Sequence, residues 1–550
     1  MKQEQVDKIV DRVSKVKIPW GNGTTIGDGF RNSELTMINH KRQQAVREAM
    51  VHAWSGYTDY AFGKDELQPI SKSYNNRWGD WAISLVDCLD TLKLMEMDEE
   101  YAVAKEHVRG IDFTQVPEGY QTQMFEMVIR ALGGLLGAYE MDEDPMLLTK
   151  AKQVGDILAI AFENTIHGLP SNSIDVNNKT AIFSNAVCIA EAGTIQLEFK
   201  RLSQLTGDPK YQRLAEGASD ALESGYRKYP GLYPAFIFTT SKQYDNSSSY
   251  GLGAMSDSFY EYQLKQYIMN GKREQKFKDQ YIVSVETVKQ KLIGKSKSGL
   301  YFLGRWGSQE TVYYREMEHL ACFYPGLLAL GAQVLDRPQD LVVAEQLAFT
   351  CYLSYKTSPT GLGPEIFGFP DSPEDQQLPE FAAERANEFD PKIQKIFDYN
   401  KYGLAPIDPR FILRPETLES LFVLYRVTGD PKYQEWGWEI FTAIEKYTKT
   451  DVAYAAYANV YDRDNSSNWV DSMESFFLAE TLKYLYLLFS PSDLFSLDEY
   501  VLNTEAHPFK INKGSANSGA ELEKDINKDL NNDSVDGKNE PPYNVKDPVD

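Results

Sequence analysis

The chain has 550 residues, a formal net charge of −23, 42% hydrophobic residues and 13% aromatic residues. This apolar content is enough for a large buried core, although length alone does not choose between one large domain and several small ones. The excess of acidic residues argues against nucleic acid and against anionic membranes as partners. The sequence contains neither a run of 18 or more apolar residues nor a secretory signal, so we expect no transmembrane segment.

Taken in chain order, the predicted elements are mainly helices that follow one another in pairs. Residues 1–35 are expected to be a lead-in to the folded domain, which we place at 36–510. Segments with apolar residues at helical spacing lie at 42–61, 125–162, 256–292, 319–355 and 473–490. Residues 511–550 are dominated by Asn, Asp, Lys and Gly, so we predict a disordered polar tail.

One heptapeptide, TGDPKYQ, occurs twice, at 206–212 and at 428–434. Each copy separates two segments with helical spacing of apolar residues. In the second copy, Gly429 suits the left-handed position just past a helix end. Asp430 suits the cap of the next helix, and Pro431 suits its first helical position. The repeat therefore predicts a compact turn between two antiparallel helices.

A series of helical hairpins of this length forms either an open solenoid or a closed ring. A solenoid usually keeps a more regular period than this chain shows. The connections between the hairpins are long and irregular, and one of them, 231–240, reads GLYPAFIFTT and resembles a strand. We therefore predict an all-α fold, a closed toroid of helical hairpins with minor β-hairpin inserts.

Several glutamates near the predicted starts of the first helices have mainly apolar neighbours, which is unusual for solvated acids. They are Glu126, Glu261, Glu318, Glu416, Glu419 and Glu480. If the first helices form an inner ring, these carboxylates meet at one mouth, where burial is costly unless they are hydrogen-bonded, metal-bound or functional. Structural alternatives remain open: Glu416 and Glu419 as ordinary helix N-terminal acids, and Glu126 with Arg130 as an i,i+4 ion pair.

The motifs of several other chemistries are missing from the sequence. Its six histidines form neither HxH nor HExxH, and it contains no GxSxG, no P-loop and no GxGxxG. The four cysteines contain no CxxC, and without further argument they remain open between free thiols and disulfides. Carboxylate chemistry remains, and two separated carboxylates around a bond are the arrangement of glycoside hydrolysis. The arginines Arg130 and Arg414 and the aromatic residues Phe125, Trp81 and Phe477 would suit a sugar chain.

Several blocks together resemble the class I α-1,2-mannosidases of glycoside hydrolase family 47, in that family's order, from Arg42 to Phe509. The blocks are WAISLVDCLDTL, FEMVIRALGGLLGAY, DSFYEYQLKQ, HLACFYPGLLALG, LRPETLESLFVLYRVTGDPKYQEWGWEI, MESFFLAETLKYLYLLF and VLNTEAHPF. The resemblance implies an (αα)7 barrel, an inverting mechanism and a calcium ion at the base of the barrel that touches the sugar.

The resemblance also implies roles for single residues. Glu126 matches the acid that protonates the leaving oxygen, and Glu416 matches the base that activates the attacking water. Thr504 matches the residue that binds calcium through its carbonyl and hydroxyl oxygens, a hard-oxygen set that suits this ion. The implied substrate-binding residues are Arg130, Glu261, Arg414, Glu419, Phe477 and Glu480, and Glu505 is implied in the shell of acids around them.

One position departs from the family pattern. Better-known members read MDHL where this chain reads MEHL, so Glu318 stands in place of the third catalytic carboxylate, an aspartate. The chemistry is retained with one more methylene, and a shift of about 1 Å can cost roughly a hundredfold in rate. We expect the protein to remain active.

The resemblance implies a disulfide between Cys322 and Cys351 and therefore an oxidising compartment. Five N-x-S/T sequons agree with a secretory route: Asn22, Asn178, Asn246, Asn465 and Asn532. We thus expect the lumen of the endoplasmic reticulum or Golgi, or secretion, although no signal or anchor is visible. The expected activity is calcium-dependent trimming of high-mannose N-glycans by a monomer. The alternatives are a quality-control relative that recognises misfolded glycoproteins and a catalytically silent glycan-binding toroid.

Overall fold

The computed structural model describes residues 33–163, 165, 167–369 and 404–513. The predicted lead-in at 1–35 and the predicted tail at 511–550 lie outside the described residues, apart from the three of each that adjoin the domain. The last three residues of the lead-in are already helical, because the first helix begins at Ser33. The account below concerns the compact unit that ends at Ile511.

Fourteen helices of the described residues are labelled here in chain order. The outer helices are α1 (Ser33–Ala61), α3 (Asp98–Gly110), α5 (Pro145–Leu158), α7 (Lys210–Ser224), α9 (Gln275–Lys291), α11 (Pro338–Lys356) and α13 (Lys432–Tyr447). The inner helices are α2 (Leu89–Leu94), α4 (Gly133–Asp142), α6 (Gln196–Thr206), α8 (Asp257–Met269), α10 (Tyr324–Val334), α12 (Glu416–Thr428) and α14 (Leu482–Leu488).

Short helical pieces precede or follow several of these helices. Four are short α-helices: Ile83–Asp87, Met124–Glu126, Ile189–Gly193 and Asn465–Asn468. Two are π-helical turns, Met127–Leu132 and Phe477–Thr481. Three are 3₁₀ turns: Ala159–Phe162, Ser308–Glu310 and His319–Phe323.

The inner helices form a closed ring. Each contacts the next one along the chain from α2 to α14, and the π-helical turn before α14 contacts α2. Every outer helix packs on its inner partner, with α1 packed on α14 at the seam. The described residues therefore form seven helical hairpins in a ring, and the prediction of a closed toroid is confirmed. Because the inner helices are shielded on both sides, all residues of α14 and all residues of α8 after Asp257 are buried.

Eighteen short strands of the described residues pair in antiparallel fashion. They are β1 (Glu66–Gln68), β2 (Ser73–Asn75), β3 (Thr122–Gln123), β4 (Ser173–Asp175), β5 (Thr180–Ile182), β6 (Ala186–Cys188), β7 (Phe236–Phe238), β8 (Ile293–Lys295), β9 (Tyr301–Leu303), β10 (Arg305–Trp306), β11 (Tyr313–Tyr314), β12 (Glu316–Glu318), β13 (Ile366–Gly368), β14 (Ala405–Asp408), β15 (Ala456–Tyr457), β16 (Trp469–Val470), β17 (Tyr500–Leu502) and β18 (Pro508–Lys510).

The two ends of the ring are built differently. The strands β1–β16 all lie in connections from an outer helix to the next inner helix, so they surround the N-terminal ends of the inner helices. We call this end the mouth. The connections from inner to outer helices are short turns at the opposite end, the base, and both copies of TGDPKYQ lie there.

The last hairpin, β17–β18, fills the axis of the ring, and its tip is the segment 503–507. The glycines of α4 allow close approach around it. A Cβ atom on Gly133 would lie 2.7 Å from the ring of His507. One on Gly134 would lie 2.5 Å from the carbonyl oxygen of Val86 on the neighbouring inner segment.

The disulfide implied by the family resemblance is present. Cys322, in the 3₁₀ turn before α10, is bonded to Cys351 on α11, with 6.0 Å between their Cα atoms. Cys88 and Cys188 are buried free thiols. Among the described residues, no helix has the length and apolar character needed to cross a membrane.

Candidate active site

The predicted acids do meet at the mouth of the ring. The structure brings Glu480 close enough to Glu416, Glu419 and Glu505 for their charges to interact. Glu419 interacts in the same way with Glu261. Burial and this mutual repulsion raise the pKa of both Glu419 and Glu480 well above the ordinary value. Carboxylates from separate hairpins therefore share one pit, as the sequence predicted.

Glu416, the first residue of α12, is the acid that the pit keeps ionised. Burial opposes its charged form, but the hydrogen bond from His319 and the charge of Arg414 outweigh burial and lower its pKa. His319 Nδ1 lies 2.7 Å from Glu416 Oε2. Arg414 Nη1 lies 3.8 Å from Glu416 Oε1. A carboxylate that stays ionised at low pH is suited to accept a proton.

Arg414 is itself held by a second carboxylate. Its Nε donates to both oxygens of Glu365, each at 2.9 Å. Burial and the charge of Glu416 favour the neutral form of Glu365, yet Arg414 lies between the two acids and interacts with both. The guanidinium therefore interacts with the carboxylate oxygen of Glu416 that His319 does not bind.

Arg130 organises a second group of acids. Its Nε donates to Glu126 Oε2 at 2.8 Å, and its Nη1 lies 3.5 Å from Asp87 Oδ2 and in direct contact with Glu505. The charges of these acids outweigh burial and raise the pKa of Arg130 well above its ordinary value. The i,i+4 pair anticipated from the sequence is present, but it belongs to a buried network and is not a plain surface pair.

Asp257, the first residue of α8, is a site residue that the sequence reasoning missed. Burial raises its pKa to about 7, and the charges of Glu318, Glu261 and Glu416 contribute in the same direction. The pit therefore holds one carboxyl group with a lowered pKa and, beside it, one whose pKa is raised to near neutrality. Such a divergence between neighbouring acids is the arrangement needed for a base and an acid at one bond.

Comparison with known proteins identifies the family. The sequence profile of glycosyl hydrolase family 47 matches residues 49–511. The chain belongs to glycosyl hydrolase family 47. The resemblance stated from the sequence blocks is therefore confirmed, and the protein is a glycoside hydrolase.

Two curated relatives of this family 47 chain are mannosidases. A mannosyl-oligosaccharide 1,2-alpha-mannosidase of Arabidopsis thaliana is 39% identical over 485 residues, which cover 86% of this chain and 79% of the relative. The endoplasmic reticulum mannosyl-oligosaccharide 1,2-alpha-mannosidase of Mus musculus is 39% identical over 480 residues, covering 86% of this chain and 68% of the relative.

A solved structure gives the same architecture. The alpha-1,2-mannosidase from Trichoderma reesei superposes with a TM-score of 0.78 at 31% identity, covering 86% of this chain and 99% of that one. The (αα)7 barrel expected for a family 47 member is therefore confirmed by the ring of seven hairpins and by this likeness.

Glu318, the residue that departs from the family pattern, lies at the end of β12 and faces the entry to α8. Its Oε2 accepts a hydrogen bond from the backbone N–H of Ala254 at 2.7 Å. A Cβ atom on Gly253 would lie 2.3 Å from the same oxygen, so a side chain at this position would require the carboxylate of Glu318 to move. Glu318 thus holds the loop that carries Asp257, and its catalytic role stays a prediction.

Phe477 does not line the pit, which corrects one predicted substrate contact. It is fully buried and packs against Tyr454 with 4.9 Å between ring centroids. The neighbouring Phe476 faces the arginines instead, 5.7 Å from Arg130 and 5.9 Å from Arg414. Trp81 is also buried, with its indole N–H donated to Gln115. The backbone at Phe477 enters a π-helical turn, which changes the direction of successive side chains.

Below the acids, Lys265 of α8 is the cation that the sequence reasoning did not select. It contacts Glu261 directly and lies 3.9 Å from Glu419. Burial lowers the pKa of Lys265, but the charges of these glutamates outweigh burial and raise it. An ammonium group therefore balances part of the negative charge at the floor of the pit.

Thr504 lies at the tip of the β17–β18 hairpin, next to Glu505. Its backbone N–H lies 3.4 Å from the hydroxyl of Tyr262. Its carbonyl and hydroxyl oxygens accept no hydrogen bond from the described residues. Within those residues, no three His, Cys, Asp or Glu side chains are grouped as metal ligands. A cation at this tip would therefore be held by the threonine oxygens and by water.

Proposed function

We propose that this family 47 protein is an exo-acting α-1,2-mannosidase that trims high-mannose N-glycans by inversion of configuration. The names of its relatives support the bond and the sugar. The observation that carries the chemistry is the pair of carboxyl groups in one pit, with the pKa of Glu416 lowered and that of Asp257 raised to about 7. At a pH below about 7 and above the lowered pKa of Glu416, Glu416 is a base and Asp257 an acid.

In this proposal Glu416 removes a proton from the attacking water. The water oxygen forms a bond to the anomeric carbon while the bond from that carbon to the leaving oxygen breaks. A carboxylic acid on the other side gives its proton to the leaving oxygen. The water attacks the face opposite the leaving group, so an α-linked mannose is released first as the β-anomer.

Two residues compete for the role of the acid. The family resemblance implies Glu126, which Arg130 holds at 2.8 Å. The raised pKa favours Asp257, which is protonated over most of the acidic range. Removing the true donor costs least on a substrate with a good leaving group, because that substrate needs no protonation. Glu126→Gln and Asp257→Asn, each assayed on an aryl α-mannoside and on an α-1,2-linked disaccharide, therefore identify the donor.

We also propose that calcium is bound at the tip of the last hairpin. The oxygens of Thr504, which accept no hydrogen bond from the described residues, fit a hard cation, and the carboxyl groups of Glu419 and Glu480 interact with other acids in the same pit. Thr504 would bind the ion directly, while the surrounding acids would hold its waters. When bound, the ion would supply a fixed positive charge beneath the sugar. Calcium should raise the Tm of the wild type and leave that of Thr504→Val unchanged.

The proposed compartment is the secretory pathway. Relatives named for the endoplasmic reticulum and the disulfide between Cys322 and Cys351 support it.

The test is digestion of a nine-mannose N-glycan by the purified chain, with calcium and with a chelator. We expect stepwise loss of mannose only with calcium, and NMR of the fresh product should show the β-anomer. Glu416→Gln should retain binding of the glycan without release of mannose. Binding without hydrolysis by the wild type would overturn the proposal and favour a silent glycan-binding toroid. Release of the α-anomer would overturn inversion alone.

A further inference from the structure

We propose that Tyr355, on the outer helix α11, is a positioning residue for Glu416, the proposed general base. Its hydroxyl fixes the tautomer and the orientation of His319, which in turn orients Glu416. This inference rests on the proposed function and assigns a task to a side chain that does not itself reach the pit.

The three groups form a chain of short hydrogen bonds. His319 Nδ1 lies 2.7 Å from Glu416 Oε2, and His319 Nε2 lies 2.6 Å from the hydroxyl of Tyr355. An ionised carboxylate can only accept, so Nδ1 must carry the proton. In a neutral imidazole Nε2 then has no proton and must accept, which requires Tyr355 to donate. The tyrosine hydroxyl therefore selects the tautomer that donates to Glu416.

Tyr355 is able to remain a donor. Its ring is 1% exposed, and burial together with the charge of Glu416 raises its pKa well above the ordinary value. The other candidate, Thr417 Oγ1, lies 3.3 Å from Nε2, and a hydrogen bond of that length is weak. Without the tyrosine hydroxyl, this longer contact is the one hydrogen bond left to Nε2 among the described residues.

The backbone around Tyr355 holds the ring in place. One helical turn before it, Cys351 is bonded to Cys322 in the same 3₁₀ turn that carries His319. On the other side, a Cβ atom on Gly363 would lie 2.4 Å from the tyrosine ring. The disulfide thus ties the helix of the donor to the turn of the acceptor, and the glycine lets the chain close over the ring.

The other charged groups around Glu416 show why its histidine partner matters. The groups that interact with Glu416 from neighbouring elements are His319, Arg414, Glu365, Glu419, Asp257, Glu480 and Tyr355. Most of these are acids. With His319 turned away, burial and like-charge repulsion oppose the ionised form of Glu416, and Arg414 at 3.8 Å and a backbone N–H hydrogen bond are left to favour it. The carboxylate then needs a higher pH to ionise.

The test is Tyr355→Phe in the full chain, assayed for kcat and KM against pH on a nine-mannose glycan. We expect kcat to fall about tenfold, as loss of one buried hydrogen bond allows, with KM little changed. The acid limb of kcat/KM should move upward by about one pH unit. The matched control is Tyr324→Phe, because that buried tyrosine of α10 has a hydroxyl without a hydrogen-bond partner among the described residues. It should behave as the wild type.

A double-mutant cycle separates positioning from a loss of packing. If Tyr355 acts through His319, Tyr355→Phe should have no further effect in a His319→Gln background. Additive losses, or an unchanged acid limb in Tyr355→Phe, would overturn the inference while the wild type remains active. An inactive wild type would instead overturn the proposed function.

Discussion

The hairpins α6–α7 and α12–α13 share the heptapeptide TGDPKYQ at the base and differ at the mouth. At the base the two copies make the same contacts. Gly207 and Gly429 both adopt the left-handed conformation, with φ of 72° and 67°. The aspartates bind the first N–H of the following helices in the same way, Asp208 accepting from Lys210 N at 2.9 Å and Asp430 from Lys432 N at 3.0 Å.

The lysine and the tyrosine of the heptapeptide bind the preceding outer helix. Tyr211 and Lys210 donate to Asp156 of α5 at 2.7 and 2.6 Å. Tyr433 and Lys432 donate in the same way to Glu345 of α11, at 2.8 and 3.0 Å. The repeated heptapeptide therefore forms the turn between its two helices, binds the start of the second helix and bonds to the neighbouring hairpin.

At the mouth the same two hairpins present acids in opposite states. Glu198 of α6 is fully buried, and burial raises its pKa to about 7 despite hydrogen bonds from Tyr262 and Asn503. Glu416 of α12 has a cationic partner within reach, and its pKa is lowered. The two hairpins thus have the same turn at the base of the ring. At the mouth, the partners of the acid in the first helical turn determine its pKa and therefore its protonation state.

The largest effect should come from removing one acid of this comparison. Glu416→Gln is expected to lower kcat by about 10²- to 10⁴-fold, because an amide cannot take a proton from water. KM and the urea midpoint should change little. Glu198→Gln is the matched substitution in the other hairpin and should retain most of kcat. Equal losses in the two variants would break the distinction.

The pH profile sharpens the comparison, because Glu198 and Asp257 both have pKa values of about 7. If Asp257 is the acid, its protonated form is lost as the pH rises through 7, and kcat/KM should fall about tenfold per unit above it. On the acid side, activity should persist to below the ordinary glutamate value of 4.5, since the pKa of Glu416 is lowered. Asp257→Asn should abolish the basic limb, whereas Glu198→Gln should keep it.

The hairpin α12–α13 lies next to a disulfide, whereas the hairpin α6–α7 lies next to a free thiol. Cys322 lies beside α12, where its carbonyl oxygen accepts from Ser420, whereas Cys188 before α6 is a free thiol. Replacing Cys322 and Cys351 by alanine should lower the free energy of unfolding by about 3–4 kcal/mol, as expected for a loop of this size. Cys188→Ala should not reproduce the loss in urea titrations. A double variant as stable as the wild type would contradict this expectation.

The smallest effects should come from substitutions in the shared turn at the base. Asp208→Ala and Asp430→Ala should each cost about 1 kcal/mol of unfolding free energy, the usual value of a lost helix cap. Activity at 25 °C should be unchanged in both, as measured by mannose release. A fall in kcat in Asp430→Ala alone would show that the turn at the base of α12 affects the acid at its mouth. The two ends of the hairpin would then not be independent.

What the sequence predicted well is local. The turn at Gly429 and Asp430 follows from residue chemistry within a few positions, and the structure confirms it with one change. The helix after it begins at Lys432, one residue later than Pro431, so Pro431 rather than Asp430 stands at the cap position. The ring of acids was also predictable, because each glutamate stands among apolar neighbours.

What the sequence did not predict depends on distance or on register. His319 meets Glu416 across 97 positions, and no spacing rule announces such a pair. Asp257 escaped notice because serines flank it, so it lacked the apolar setting that drew attention to Glu261. Phe476 and Phe477 are adjacent in the sequence, and which of the two faces the arginines depends on the π-helical turn that begins at Phe477.

The hairpin β17–β18 sets the order in which the site can be completed during synthesis. Its tip is contacted by Asp90 of α2, Ile129 before α4, Glu198 of α6, Lys265 of α8 and Lys483 of α14. The part of the chain that joins these hairpins at the axis leaves the ribosome after all of them. A nascent chain therefore lacks the β17–β18 hairpin between its acids until residues 500–510 have been synthesised. The site of the enzyme is completed only as translation of the domain finishes.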